Sequence, residues 1–146
     1  MSSDRDEIEN LLARYCSTYD AGDFEAYAAL FTHGRVVGPT GSFDSPSEIV
    51  AYHERNCRLY VGSPKTRHVN TNLEIHIDEA AGTASASSYV TIYQATPDFP
   101  LQVIFVGRYL DELTKIDGVW WFARREAVAD LVGDLSAHAL EYLSKS

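Results

Sequence analysis

The hydrophobic period changes once along this chain, near Gly62-Ser63-Pro64, and the change limits what it can fold into. Before it, apolar residues recur at helical spacing; after it, they alternate as in half-buried strands. Helices first and a long run of strands afterwards define an α+β domain, in which a curved sheet wraps around the helices and leaves a cavity between the layers.

The helical part reads as three segments. Roughly residues 5 to 20 place Ile8, Leu11, Leu12, Tyr15, Cys16 and Tyr19 on one stripe. Asp23 then suits the N-cap of a second helix, Phe24 to Phe31, which Thr32-His33-Gly34 breaks. A brief strand, Arg35 to Val37, leads through a turn-rich stretch to Pro46, at the start of a third helix running to about Leu59. Strands follow near 68 to 78, 83 to 94, 101 to 114 and 119 to 127, separated by turn signals at Glu79 to Gly82, Thr96 to Pro100 and Asp117-Gly118. The last is a favoured hairpin dipeptide, so the strands are expected to be antiparallel. In the tail, residues 128–146, the spacing of Leu131, Leu135, Ala139, Leu140 and Leu143 predicts a terminal helix that covers a sheet edge or meets another subunit.

Asp20 continues the stripe of the first helix, four residues after Cys16. A carboxylate on a buried face is costly unless paired or hydrogen-bonded. Two explanations stay open: local backbone bonds in the turn Ala21-Gly22-Asp23, or a partner from elsewhere, for which His68 is the candidate. Simple alternation puts His68 with Asn70, Asn72, Glu74 and His76, opposite Val69, Thr71, Leu73, Ile75 and Ile77. Either face of that strand can be the solvent side. His33, His53, His76 and His138 read as surface residues, and only one of Arg124 and Arg125 can point inward.

The 146 residues, 45% of them hydrophobic, suit a single domain spanning 1–146. The net charge of −9 with scattered basic residues argues against a nucleic-acid partner. The charged start MSSDRDEIEN and the lack of a long apolar run lead to the expectation of a cytoplasmic protein with no membrane association. Cys16 and Cys57 lack metal-ligand spacing and are expected to be reduced, buried thiols. No HExxH or phosphate-cradling glycine motif is present, so neither a metal nor a nucleotide cofactor is expected.

Three segments in order, YDAGDFEAYAALFTHGRVV, TRHVNTNLEIHID and DGVWWFARRE, carry a family likeness. Over about residues 5–127 the chain resembles the SnoaL-like branch of the nuclear transport factor 2-like superfamily. That resemblance implies a cone-shaped α+β barrel, a curved antiparallel sheet around N-terminal helices, with an apolar pocket and commonly a homodimer or higher homo-oligomer. The motifs are most similar to the group typified by scytalone dehydratase, hexachlorocyclohexane dehydrochlorinase and bile-acid 7α-dehydratase, which share an Asp–His pair. The likeness implies catalytic roles for Asp20 and His68, with Tyr15 and Arg125 as further site residues. A second histidine of scytalone dehydratase is replaced here near Ser88 or Tyr89.

The function expected from this reading is cofactor-free β-elimination, a dehydratase acting on a small, mostly apolar cyclic substrate. His68 would abstract the proton, Asp20 would orient it, and Tyr15 or Arg125 would assist the leaving group. An isomerase or polyketide-type cyclase uses the same base, and a noncatalytic ligand-binding or assembly module is the alternative outside enzymology. Tyr15 and Asp20 stand about 140° apart on an ideal helix, which sets a geometric question for the structure.

Overall fold

The computed structural model describes residues 2–146. Helix α1, Asp4–Asp20, opens on a capping box in which Ser3 and Asp6 satisfy each other's backbone N–H groups, and its whole predicted stripe from Ile8 to Tyr19 is buried. Asp23 caps α2, Phe24–Ala29, by accepting from the Ala26 N–H at 3.1 Å. Helix α3, Pro46–Asn56, carries Pro46 in its first turn as expected and ends three residues before Leu59. Among the described residues no helix is long and apolar enough to cross a membrane.

The strands are β1 (Arg35–Gly38), β2 (Gly41–Phe43), β3 (Thr66–Asp78), β4 (Thr83–Thr96), β5 (Phe99–Ile116) and β6 (Val119–Val132). They form one sheet in the order β2-β1-β6-β5-β4-β3. The α+β architecture with a curved sheet around the helices is therefore as expected, with two refinements. The β1–β6 junction is parallel, pairing Val36 with Arg125, so the sheet is mixed, and its two ends, β2 and β3, do not meet. Strand β2 was not anticipated; three residues after a tight turn are too few to show a period. Asp117 and Gly118 both take positive φ, the backbone that a two-residue hairpin between β5 and β6 requires.

Strand β3 corrects the simple alternation. A bulge between Thr71 and Glu74 inserts one residue relative to β4, with Asn72 at φ +54°. The faces exchange there. Thr66, His68 and Asn70 point inward before the bulge, while Leu73, Ile75 and Ile77 point inward after it and Glu74 and His76 face solvent. The polar start and the apolar end of the strand thus line one interior. The core beneath joins Ile8, Leu11 and Leu12 of α1 to Val90, Ile104, Leu113 and Phe122 of the sheet.

The tail does not form the predicted helix. Strand β6 extends to Val132, and after it only a single turn closes, with Ala139 N–H donating to the Leu135 carbonyl. Remote groups satisfy the rest of this backbone instead. Leu140 N–H donates to the Asn56 carbonyl, Glu141 N–H donates to Asn56 Oδ1 at 2.7 Å, and Asn56 Nδ2 donates to the Glu141 carbonyl at 3.1 Å. Gln94 Nε2 and the Tyr60 hydroxyl both donate to the Ala137 carbonyl. The leucine spacing is helical, but Leu135 and Ala139 are buried while Leu131 and Leu140 are exposed, so the four do not share a buried face.

Replacing buried Asn56 with alanine strands two tail groups. Asn56→Ala is expected to lower unfolding free energy by about 1–3 kcal/mol in urea titration. Amide exchange should speed at Glu141 and stay slow in the β4–β5 ladder; unchanged protection at Glu141 would show that the tail is held otherwise.

Candidate active site

Asp20 ends α1 beside the turn that precedes β3. Gly22, at φ +74°, lets that helix end approach the turn so closely that a Cβ there would lie 2.3 Å from the Gly62 carbonyl oxygen. The Ser63 hydroxyl donates to the Asp20 carbonyl. The Asp20 side chain then reaches into the start of β3. Its Oδ1 accepts from the Thr66 hydroxyl at 2.8 Å and lies 2.6 Å from His68 Nδ1, while Oδ2 accepts from the His68 N–H at 2.8 Å. The bonds are long-range, which decides between the two explanations left open for this buried carboxylate.

Only 6% of the His68 side chain and 11% of the Asp20 side chain are exposed. Burial pushes the Asp20 carboxyl upward, but the hydrogen bonds and charge of His68, together with Thr66, outweigh it and hold the group below its ordinary value. An ionised carboxylate only accepts, so His68 Nδ1 carries the proton in this pair. In neutral His68 the lone pair is then on Nε2, which has no hydrogen-bond partner among the described residues. His68 lines a cavity of about 200 Å³ between the helices and the sheet.

Tyr15 also lines this cavity, whereas Asp20 does not; it lines an outer groove with Ser17, Arg67 and Asn70, and His68 stands between the two, lining both. The angular separation on α1 is therefore satisfied by two different tasks: Tyr15 and Tyr19 face the cavity and Asp20 faces β3. Arg125 points inward but does not line the cavity. It is fully buried, makes a two-pronged pair with Asp111 at 2.7 and 2.8 Å, and lies against the rings of Tyr15 and Tyr109, 4.2 and 3.7 Å from their centroids. Burial opposes its charge, but Asp111 outweighs that and raises the guanidinium further, so it stays charged. Arg124 faces outward with Glu126. Ser88 is buried and faces inward, whereas Tyr89 is exposed on the outer face.

Two histidines expected at the surface belong to the cavity wall. His53 of α3 and His138 of the tail both line it, together with Cys57. Tyr19 stands among them, its ring 5.2 Å from His53, 5.0 Å from His68 and 5.9 Å from His138. Its hydroxyl lies 3.2 Å from His138 Nε2 and donates to Cys57 Sγ at 3.6 Å. Both cysteines are free; Cys16 is buried, and Cys57 is half-buried at the end of α3. His33 is exposed as expected. Tyr19 was visible only as one more apolar-stripe residue, and no local pattern marked His53 or His138, because their burial comes from segments far away in sequence.

The cavity contains no lysine or arginine side chain among the described residues. Burial lowers His53 to about 4, aided by the charge of His68, and lowers His138 to about 4, aided by His68 and His53, so both are neutral near pH 7. Burial likewise raises the Tyr15, Tyr19, Tyr27 and Tyr109 phenols, which remain protonated donors. The site thus offers one imidazole oriented by a carboxylate, two neutral imidazoles and several neutral hydroxyls, with Glu141 as the one carboxylate residue on the lining among the described residues.

The family model described as SnoaL-like domain matches residues 1–126. A protein of unknown function from Mycobacterium tuberculosis is 28% identical, with a TM-score of 0.72 over 86% of this chain and 71% of its own. A candidate scytalone dehydratase from Novosphingobium aromaticivorans is 24% identical, with a TM-score of 0.73 over 97% of this chain and 90% of its own. The beta subunit of an aromatic-ring-hydroxylating dioxygenase candidate from the same organism shares 18% identity, with a TM-score of 0.70 over 91% and 94% of the two chains. The last two likenesses show the fold alone. No curated protein matches the chain.

The histidines make stability depend on pH in a fixed direction. The unfolded chain binds protons on His53 and His138 near 6.5, and the folded chain only near 4, so stability is complete above 6.5 and falls between 6.5 and 4. Asp20, whose carboxyl is lowered, removes further support in more acid solution. Urea midpoints should therefore drop steadily from pH 6.5 to 4. His53→Phe, which keeps the stacking on Phe24, should make that drop shallower; an equal drop would assign the acid sensitivity to other groups.

Proposed function

The chain belongs to the SnoaL-like domain family, and we propose that within it this protein is a lyase, a dehydratase that eliminates water from a compact cyclic β-hydroxy ketone using its own side chains. The fold supports a ligand-binding or catalytic role, and one observation carries the choice of catalysis. Asp20 holds Nδ1 of His68, a residue of the cavity lining, while the opposite nitrogen has no hydrogen-bond partner among the described residues.

Proton abstraction next to a carbonyl needs a base with an affinity for protons near neutral pH, which an imidazole supplies. His68 Nε2 takes the proton from carbon, and the electron pair delocalises into the carbonyl as an enolate. The Asp20 carboxylate stabilises the imidazolium formed. Tyrosine hydroxyls on the cavity wall, Tyr15 and Tyr19 first among them, donate to the enolate oxygen or to the departing hydroxyl. Collapse of the enolate expels the hydroxyl, which leaves as water with the proton that His68 had taken, so the imidazole returns to its neutral form and the double bond remains in the product. Arg125 acts behind Tyr15 and Tyr109 rather than on the substrate.

The cavity of about 200 Å³ is smaller than the roughly 300–1,000 Å³ of common drug-sized sites, which favours a one- or two-ring substrate. Its aromatic wall favours an apolar ring system. The homodimer of this reading is supported by the outer sheet face, where Tyr89, Tyr93, Val103, Leu110 and Leu131 are exposed.

A test substrate is 3-hydroxy-1-tetralone, whose loss of water yields 1-naphthol. His68→Ala is expected to lower kcat by about 10²–10⁴-fold with the fold intact by circular dichroism. Asp20→Asn should lose a comparable factor, because an amide cannot serve all three donors that the carboxylate accepts from. An active His68→Ala would sink the proposal. Exchange of the C2 proton in deuterium oxide without naphthol formation would move the function to an isomerase or cyclase, and neither reaction in the wild type would leave a binding module.

A further inference from the structure

The tail lies outside the segment that the family model matches, yet it supplies part of the cavity wall. Leu135, His138, Tyr142 and Leu143 all face the cavity, and the strap they belong to is fastened at Asn56, Tyr60, Arg58 and Gln94. Bonds from both α3 and the residues that follow it, and from β4, thus fix the course of this segment. It holds one polar group, the His138 imidazole, against the Tyr19 hydroxyl.

We propose that the segment 135–143 completes the active site and that His138 is a positioning residue, setting the Tyr19 hydroxyl as the donor to a substrate oxygen. The chemistry of that donation rests on the dehydratase reading; the geometry does not. His138 Nε2 lies 3.2 Å from the Tyr19 oxygen, and Nδ1 is buried without a partner among the described residues. Neutral imidazole carries one N–H. Were it on Nδ1, a buried N–H would be stranded, the rarer kind of defect in proteins. With the proton on Nε2, His138 donates to the Tyr19 oxygen, and the Tyr19 proton is directed away from it. The Tyr19 proton is donated to Cys57 Sγ at 3.6 Å, and a thiol sulfur is only a weak acceptor. A carbonyl or hydroxyl oxygen entering the cavity is a stronger acceptor and captures that proton's hydrogen bond. The resulting chain runs from His138 N–H to the Tyr19 oxygen, and from the Tyr19 O–H to the ligand.

His68 and His53 are the other imidazoles against Tyr19, and Tyr27 is a phenol ring 5.2 Å away; none of the three touches its hydroxyl among the described bonds. His138 is therefore the one imidazole placed to control the direction of that proton. The role belongs to a residue of the tail, so activity is expected to depend on a segment that the family model does not reach.

The first test is long-range proton–nitrogen NMR on the full chain labelled with ¹⁵N-histidine at pH 7. His138 should be the Nε2–H tautomer, and Tyr19→Phe should shift its Nε2 resonance more than that of His53. An Nδ1–H tautomer overturns the proposal. The second is a kinetic cycle with 3-hydroxy-1-tetralone. Tyr19→Phe and His138→Phe should each lower kcat by about 10–100-fold with KM changed less than about threefold. The double variant should be no slower than the slower single one, because both break the same chain. His138→Gln, which keeps an N–H near the same place, should recover most of the rate. Multiplicative losses in the double variant, or a His138→Gln no better than His138→Phe, overturn the positioning role. A wild type inert toward the tetralone removes the dehydratase reading alone, since the tautomer and its response to Tyr19→Phe still decide what His138 does.

Discussion

The Asp20 carboxylate is the joint on which the rest of this structure depends. Its three acceptor contacts bind the last turn of α1 to Thr66 and to both the backbone and the ring of His68. Each contact offsets part of the cost of burying the charge, and together they use the Thr66 hydroxyl and both the backbone and ring N–H of His68. The same contacts fix the separation of helix and sheet, and that separation is what the cavity consists of. The left-handed Gly22 and the hydroxyl of Ser63 serve this joint by bringing the helix end against the turn before β3. A side chain at Gly22 would hold the helix end away from Gly62 and pull the carboxylate out of reach of all three donors.

The interior handles its second charge differently. Arg125 and Asp111 neutralise each other in the sheet layer, and the aromatic rings of Tyr15, Tyr109 and Phe122 lie over the guanidinium. Removing either partner alone would leave an unpaired buried charge, a defect that commonly costs about 3–5 kcal/mol. The ion pair therefore works as a unit beneath the tyrosines. Its cation packs against the rings of Tyr15 and Tyr109, two residues of the cavity lining, without itself lining the cavity.

How far the site was legible follows from where each residue gets its environment. Asp20 could be read because a carboxylate interrupts a helical stripe set by its own neighbours. Tyr15 and Tyr19 lay on that stripe, although nothing local distinguished a cavity-facing tyrosine from a core one. His68 needed the family likeness, since the bulge at Asn72 exchanges the two faces of β3 and makes an unbroken alternation misleading. Alternation allowed only one of Arg124 and Arg125 to point inward without saying which, and the partner of Arg125, Asp111, is on another strand and came from no pattern. His53 and His138 are buried by α1 and by the tail, and the tail's course is set by hydrogen bonds to Asn56, Gln94 and Tyr60 rather than by its own leucine spacing. Long elements with many equivalent contacts announce themselves in sequence; single side chains that catch a distant backbone do not.

On the proposed reading, the placement of charge explains why the arrangement is suited to elimination. A lysine or arginine open to the cavity would bind any anion in the ground state, and such binding does not lower the barrier to the chemical step. Here the one interior cation is already matched by Asp111, and His53 and His138 are kept neutral by burial. Apart from the exposed carboxylate residue Glu141 on the lining, charge therefore arises in the cavity when His68 takes a proton and the substrate becomes an enolate. The imidazolium is met at once by Asp20, and the enolate by phenolic donors already in place. Both responses are preorganised, so stabilising the forming charge needs no reorganisation at the moment of reaction. A neutral substrate can enter without disturbing this balance, and the interactions grow only along the reaction coordinate.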